Sequence, residues 1–183
     1  MATTKNYIHR IDSCLREGHP DSCYGTLQPG LTSNEIDELM DELDFSLPLE
    51  AYEFYAWKNG TEYGEEEFQG FFHGLSFLSL ECAVGLYEDF REESLEHSQL
   101  DPTDEPWKQG WLPFLAEPDR LGTLYGCSYY CIVGNLDESF TATSRILYVS
   151  HRDGALSVAH ESLTDWLCKV AEFYESGEYI DYI

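Results

Sequence analysis

The sequence has few basic residues. Its 183 residues include 10 Lys and Arg against 35 Asp and Glu, which gives a formal net charge of −25. The ten basic residues are scattered, so the chain lacks the positive patch with which nucleic-acid-binding proteins contact phosphates. A charge of this sign repels nucleic acids and anionic membranes and attracts basic proteins. The composition predicts a basic protein partner, no nucleic acid and no membrane; a second interpretation is that the acidity serves solubility alone.

The sequence also lacks long apolar segments. No stretch approaches the roughly 20 uncharged apolar residues of a membrane-spanning helix. The start, MATTKNYIHRIDSC, has no apolar signal-peptide core. We therefore expect a cytoplasmic protein. The length suits one domain, with residues 1–30 as an N-terminal helix and linker that form one compact unit with a main domain over residues 31–183.

Closely spaced metal-ligand pairs are absent as well. A structural zinc site needs four ligands, usually as two close pairs. Among the six cysteines only Cys127 and Cys131 are near each other, on a predicted strand. No glycine-rich phosphate-binding loop is present, and with this many acids no pair stands out as a general acid and base. We expect free thiols, no metal, no cofactor and no catalytic residue, so the protein should not be an enzyme.

The first hundred residues have the pattern of short helices. Apolar side chains recur every three or four residues from Tyr7 to Glu17 and again from Ile36 to Leu43, which is typical of amphipathic helices. Thr32 and Glu35 have the spacing of a capping box, so the second helix should begin there. Its polar face is acidic and holds Asp37, Glu38, Asp41 and Glu42.

The segment SLPLEAYEFYAWKNG at residues 46–60 predicts a helix of about three turns. Pro48 suits the first turn, where its missing N–H costs no hydrogen bond, and Asn59-Gly60 suits a left-handed stop. Gly60 should therefore have a positive φ, and Gly60→Val should destabilise the fold by about 1 kcal/mol or more. The aromatic residues of this helix are too many for one narrow stripe, so we expect broad burial with polar ring atoms bonded at its edges.

Two further segments precede residue 110. Residues 68–77, FQGFFHGLSF, predict an extended aromatic segment interrupted by glycine. Leu78-Ser79-Leu80 should then open a helix that runs through Phe90. Residues 88–105 are charged and polar without an apolar period, and they predict a helix end that leads into a surface loop.

From Gly110 onward the pattern is that of strands. Short β-branched and aromatic runs alternate with turn residues such as Gly134-Asn135 and Asp153-Gly154, which is typical of antiparallel hairpins. These runs cover residues 111–115, 123–133, 145–150 and 156–160. Trp111 opens the first run, and we expect its side chain to be largely buried against a flanking helix.

A last helix follows the strands. Ser162 has the position of its N-cap, and Gly177 follows its last apolar residues as a stop. Helices, then strands, then a helix predict an α+β fold: a single domain in which N-terminal helices and a C-terminal helix pack on an antiparallel β-sheet.

Four of these segments, in this order, resemble the SUKH superfamily, which includes many bacterial toxin-immunity proteins and a fungal regulator of cell-wall synthesis. The first is the Leu-Pro, aromatic helix and Asn-Gly pattern of residues 47–60. The others are Leu78-Ser79-Leu80-Glu81, Trp111-Leu112-Pro113-Phe114, and Ser162-Leu163-Thr164-Asp165-Trp166-Leu167 with Gly177. Together they cover about residues 31–180.

The resemblance implies an immunity-type protein that binds and neutralises a cognate toxin, and the charge favours a basic toxin such as a nuclease. The alternative is a non-enzymatic regulatory or scaffolding SUKH-like protein whose acidity serves solubility. For the toxin interpretation, the predicted partner-binding residues form an acidic rim with two aromatic anchors beside it. They are Glu65, Glu66, Glu67, Asp101, Asp104 and Glu105, with Tyr63 and Trp107.

Overall fold

The computed structural model describes residues 3–17, 23–62, 71–72, 74–100, 108–117, 128–136, 141–150 and 155–177. The helices are α1 (Thr4–Arg16), α2 (Ser33–Met40), α3 (Leu49–Trp57), α4 (Leu80–Leu100) and α5 (Leu163–Ser176). The strands are β1 (Leu27–Pro29), β2 (Lys58–Thr61), β3 (Ser76–Phe77), β4 (Trp111–Ala116), β5 (Ser128–Val133), β6 (Ile146–Ser150) and β7 (Leu156–His160). A short 3₁₀ helix, Cys23–Thr26, precedes β1.

The fold is α+β, as the sequence predicts. Strands β3 to β7 form a five-stranded antiparallel sheet in which neighbours along the chain are neighbours in the sheet, and β1 and β2 form a small second sheet. Helix α4 packs against β4, while α1 packs against α5 and α3. Among the described residues, no helix combines the length and the apolar character needed to cross a bilayer.

Aromatic side chains fill the space between the helices and the sheet. The rings of Phe54 in α3 and Phe77 in β3 have centroids 4.5 Å apart. Trp166 in α5 contacts Phe54 at 5.7 Å and Phe114 in β4 at 5.1 Å, both edge-on. All four are fully buried or nearly so. This cluster joins α3, the predicted aromatic helix, to the sheet and to α5. The prediction that α3 is broadly buried is confirmed for the side that faces the core.

Several helix ends form where the sequence places them. The Thr32 side chain accepts a hydrogen bond from the Glu35 backbone, and Glu35 bonds back to the Thr32 backbone, which completes the predicted capping box. Ser162 Oγ accepts from the backbone N–H of Asp165 at the start of α5, and Gly177 ends that helix in the left-handed region with φ of 65°. These predictions are confirmed because each depends on residues close together in the chain.

Two helix ends differ from the prediction. Helix α4 continues to Leu100 instead of ending near Phe90, because residues such as Glu, Leu and Gln favour helix even where no apolar period marks a buried face. Helix α3 ends at Trp57, and Lys58 is already extended with φ of −148°. Gly60 has the predicted positive φ, 83°, but it lies within β2, so the prediction that it stops the helix was wrong.

Trp111 is less buried than predicted. Its ring packs against the core as a partly buried side chain at the start of β4, and the Lys108 ammonium lies 5.5 Å from the ring centroid. A cation over the ring covers it while leaving it in contact with water, which is a stable position for an indole. The prediction of a largely enclosed side chain was therefore wrong in degree.

Candidate protein-binding surface

The predicted partner-binding residues all lie outside the described residues. Tyr63, Glu65, Glu66 and Glu67 fall within residues 63–70. Asp101, Asp104, Glu105 and Trp107 fall within residues 101–107. Their role therefore stays a prediction, and a candidate surface has to be built from other residues.

The strongest concentration of charge in the described structure lies on α2 and the residues that follow it. No Lys or Arg occurs between Leu31 and Trp57. Ile36 and Met40 turn inward and are buried, whereas six acidic side chains in α2 and just after it lie off this apolar stripe. All six of these are exposed. We call them the acidic surface: Glu35, Asp37, Glu38, Asp41, Glu42 and Asp44.

The carboxylates of the acidic surface differ in what they bind. Glu35 accepts from the backbone N–H and the hydroxyl of Thr32 at 2.7 and 2.8 Å, and these hydrogen bonds lower its pKa. Asp44 pairs with Arg91 at 3.2 Å. Within the described part of the chain, the structure gives Glu38, Asp41 and Glu42 no ion pair with a basic side chain. These three therefore offer uncompensated negative charge to a partner.

A groove of about 510 Å³ opens between α1 and α3. Its apolar lining comes from Ile8, Leu49 and Trp57, and charged side chains also line it, among them those of Asp12 and Glu53. The volume lies within the range of sites that hold a small molecule or a protruding side chain. We call it the α1–α3 groove.

Hydrogen bonds fix the walls of the α1–α3 groove. The Trp57 indole N–H donates to Asp12 Oδ1 at 2.9 Å, and Asp12 also pairs with Arg16 at 2.6 Å. Lys5 reaches Glu53 across the groove at 3.6 Å. These contacts tie α1 to α3, and they confirm that the indole N–H of the aromatic helix finds a partner at its edge. The Tyr55 hydroxyl of the same helix is buried and has no hydrogen-bond partner among the described residues, so the prediction was wrong for that ring.

Tyr52 connects the α1–α3 groove to the acidic surface. Its ring lines the groove, and its hydroxyl donates to Asp37 Oδ1 at 2.6 Å. Partial burial, together with this hydrogen bond, raises the pKa of Tyr52 to about 12, so the hydroxyl stays protonated and keeps donating at neutral pH. The groove and the acidic surface are therefore adjoining parts of one face.

Burial makes two of the described cysteines poor nucleophiles. Among the described cysteines, all are free: Cys14, Cys23, Cys82, Cys131 and Cys168. Burial raises the pKa of Cys23 to about 11 and raises that of Cys131 well above the ordinary value. A thiol with a raised pKa is a poor nucleophile at neutral pH. Within the described ranges, no cluster of three or more His, Cys, Asp or Glu could hold a metal ion.

Glu50 is an interior carboxylate whose role the sequence did not reveal. It is 2% exposed. Its Oε1 accepts from the backbone N–H of Ser144 at 2.8 Å and of Leu163 at 2.9 Å. Its Oε2 accepts from the backbone N–H and the hydroxyl of Thr164 at 3.0 and 2.9 Å. A carboxylate at the N-terminus of α5 satisfies free N–H groups and complements the helix dipole. Glu50 thus holds α3 against the sheet and the last helix.

Asn59 performs a similar function at the start of α4. Its Oδ1 accepts from the Leu80 backbone N–H at 2.8 Å, and its Nδ2 donates to Glu81 at 2.9 Å. Gly60 beside it approaches the Ser79 backbone so closely that a Cβ atom would lie 2.3 Å from the Ser79 nitrogen. The Asn-Gly pair therefore positions the next helix. The Asn-Gly motif and the Leu78-Ser79-Leu80-Glu81 motif are therefore in direct contact.

Comparison with known proteins agrees with this arrangement. No curated protein matches the chain significantly. A comparison with protein families matches residues 30–169 to the SMI1 / KNR4 family (SUKH-1). That range includes Glu50, Asn59 and the start of α5, and it excludes α1. Because the match covers more than half of the sequence, the chain belongs to the SMI1 / KNR4 family (SUKH-1), as its four motifs predict.

Proposed function

We propose that the chain is an immunity-type protein that binds and neutralises a cognate basic toxin, such as a nuclease. The family to which it belongs includes toxin-immunity proteins and is generally non-enzymatic. The observation that carries the proposal is the acidic surface on a chain of net charge −25. A nuclease already has a surface that binds anionic phosphates, and an acidic protein can occupy it.

The acidic surface suits this function for a physical reason. Exposed carboxylates without partners contribute little to folding, but they accelerate the encounter with a basic protein. Affinity then requires anchors that leave water on binding. The adjoining α1–α3 groove offers apolar walls beside Tyr52 for such an anchor. The predicted set around Tyr63 and Trp107 would add to the same interaction.

The first experiment identifies the partner. The tagged chain is purified from its native cell and the bound protein is identified. Expressed alone, that protein should arrest growth, and co-expression of the chain should restore it. A bound protein that is harmless when expressed alone, or a toxin that the chain binds without neutralising, would contradict the immunity function and favour the regulatory or scaffolding alternative.

The second experiment measures association with that partner by stopped flow. Raising the salt from about 0.05 M to about 0.5 M shortens the Debye length well below 10 Å. The association rate constant should then fall by about tenfold or more, with a smaller change in dissociation. The variant Glu38→Gln, Asp41→Asn, Glu42→Gln should slow association at low salt, and Glu65→Gln, Glu66→Gln, Glu67→Gln tests the sequence prediction in the same way.

A matched control removes three negative charges elsewhere. Glu17, Glu117 and Glu161 are exposed and belong neither to α2 nor to α4, the helix whose Arg91 pairs with Asp44. The variant Glu17→Gln, Glu117→Gln, Glu161→Gln therefore changes the net charge equally. Association should slow less in this control than in the α2 variant. Equal slowing would show that net charge alone steers the partner, and association that does not depend on salt would mean that the acidity serves solubility.

A further inference from the structure

Strand β7 exposes apolar side chains at one end of the five-stranded sheet. Leu156 is 45% and Val158 is 48% exposed. They pair in register with Val149 and Leu147 of β6, which are 8% and 9% exposed. Paired residues of antiparallel strands share a face. On this face of the sheet the side chains of β6 are therefore buried and those of β7 are not. Leu156 and Val158 face water.

Among the described residues, β7 also has a hydrogen-bonded neighbour on one side only. Its ladder partner is β6, and among the described residues no strand pairs with its other side. In an antiparallel strand, alternate residues direct N–H and C=O groups away from the neighbour. An extended segment would satisfy these groups, and its side chains at alternate positions would cover Leu156 and Val158.

The edge from Leu156 to Val158 lacks the usual protection against pairing. Proteins protect edge strands with charges, prolines or bulges. The sequence Leu-Ser-Val contains neither charge nor proline. A bulge does occur, since Val158 pairs with Leu147 and His160 with Ile146, which leaves Ala159 as the extra residue. Because Ala159 comes after Val158, residues 156–158 keep a regular edge.

We propose that this edge, residues 156–158, binds an extended segment of another protein by strand addition, and that the segment alternates apolar with basic residues. The outward backbone groups of β7 favour an extended partner segment. Leu156 and Val158 favour apolar side chains on one face of that segment. Two exposed carboxylates that follow β7 in the chain, Glu161 and Asp165, pair with Arg145 and His160. The preference for basic residues therefore rests on the net charge of −25. The same charge disfavours a second copy of this chain, because two such molecules repel each other.

This binding does not depend on the immunity function, and it can be tested without the toxin. The probe is a fluorescent peptide of four Lys-Val repeats, acetylated and amidated. Its control is the same peptide N-methylated at the four central residues, which keeps the charges and side chains but removes backbone donors on both edges. The unmethylated peptide should bind the full chain at least about tenfold more tightly in anisotropy titrations. Its binding should slow amide exchange at Leu156 and Val158, because Ala155 bonds toward β6 and alternation directs the N–H groups of Leu156 and Val158 away from it.

Protein variants test the apolar contribution. The double variant Leu156→Ser, Val158→Ser should weaken binding of the unmethylated peptide by about tenfold, since two apolar contacts are lost. Leu136→Ser is the control, because Leu136 is also an exposed apolar residue, 59%, and lies outside the strands. This variant should bind the peptide as the parent chain does. Circular dichroism confirms that the variants are folded.

Three outcomes would overturn the proposal. Equal affinity for the methylated peptide would mean that attraction is electrostatic only. Slowed exchange in α1 and α3, without change in β7, would place the peptide in the α1–α3 groove. A dimer in sedimentation at about 0.5 M salt that the double serine variant abolishes would make a second copy the occupant, since charge is screened there. Neutralisation of a toxin, measured separately, tests the proposed function alone.

Discussion

Glu50 and the carboxylates of the acidic surface are the same chemical group in opposite positions. Glu50 is buried and accepts four hydrogen bonds from Ser144, Leu163 and Thr164. Glu38, Asp41 and Glu42 are exposed. Burial of a charge costs free energy unless hydrogen bonds replace its water. The comparison shows that acidic side chains occupy two different environments in this chain: Glu50 organises the interior, whereas Glu38, Asp41 and Glu42 face solvent.

The largest effect should come from Glu50. Glu50→Ala leaves the buried backbone donors of Ser144 and Leu163, and the partly buried donor of Thr164, without an acceptor. We therefore expect a loss of about 3–5 kcal/mol in the free energy of unfolding. Glu50→Gln keeps one acceptor oxygen and should lose about half as much. Urea unfolding of both variants measures the difference. Losses below about 1 kcal/mol in both would mean that water or another group satisfies these donors.

Gly60 should have the second largest effect. Gly60→Ala meets two costs, a positive φ and a clash with the backbone of Ser79. Gly74 also has a positive φ, 76°, but no atom lies within 4 Å of the place where its Cβ would be. Gly74→Ala should therefore cost about 1 kcal/mol, and Gly60→Ala about 2 kcal/mol or more beyond that. Equal losses, measured by urea unfolding, would show that close approach to α4 is unimportant.

The acidic surface should have the smallest effect on stability. The variant Glu38→Gln, Asp41→Asn, Glu42→Gln should change the free energy of unfolding by less than about 0.5 kcal/mol, although it slows association with a partner. We expect the change to be a small gain in stability, because three negative charges no longer repel their neighbours. Thermal unfolding at low salt measures it. If this variant lost as much stability as Glu50→Gln, the surface carboxylates would contribute to folding as the interior carboxylate does.

The parts of the fold that the sequence predicted depend on local interactions. The capping box of Thr32 and Glu35 spans three residues, and the left-handed end at Gly177 needs only its own backbone. The alternating strands near the C-terminus were predicted well because hairpins join residues that are close along the chain. Local patterns therefore identified both the α+β class and the motifs of the SUKH family.

The parts that the sequence did not predict depend on distant residues. Asn59 lies 21 residues from Leu80, and Glu50 lies 113 from Leu163, so no local pattern reveals either bond. Strand β2 forms because Lys58–Thr61 pairs with Leu27–Pro29, and KNGT has little strand propensity of its own. The α1–α3 groove likewise exists only once α1, which lies outside the family match, packs on α3.

The long separation between Glu50 and its partners also has a consequence for synthesis. A ribosome releases the chain from its N-terminus, and α3 emerges while Ser144, Leu163 and Thr164 have yet to be made. Until then the Glu50 side chain has none of its native donors, and the aromatic face of α3 has no Trp166 to cover it. The family core therefore closes only after α5 has been translated, so a message truncated before codon 163 should yield an unfolded product that proteases remove.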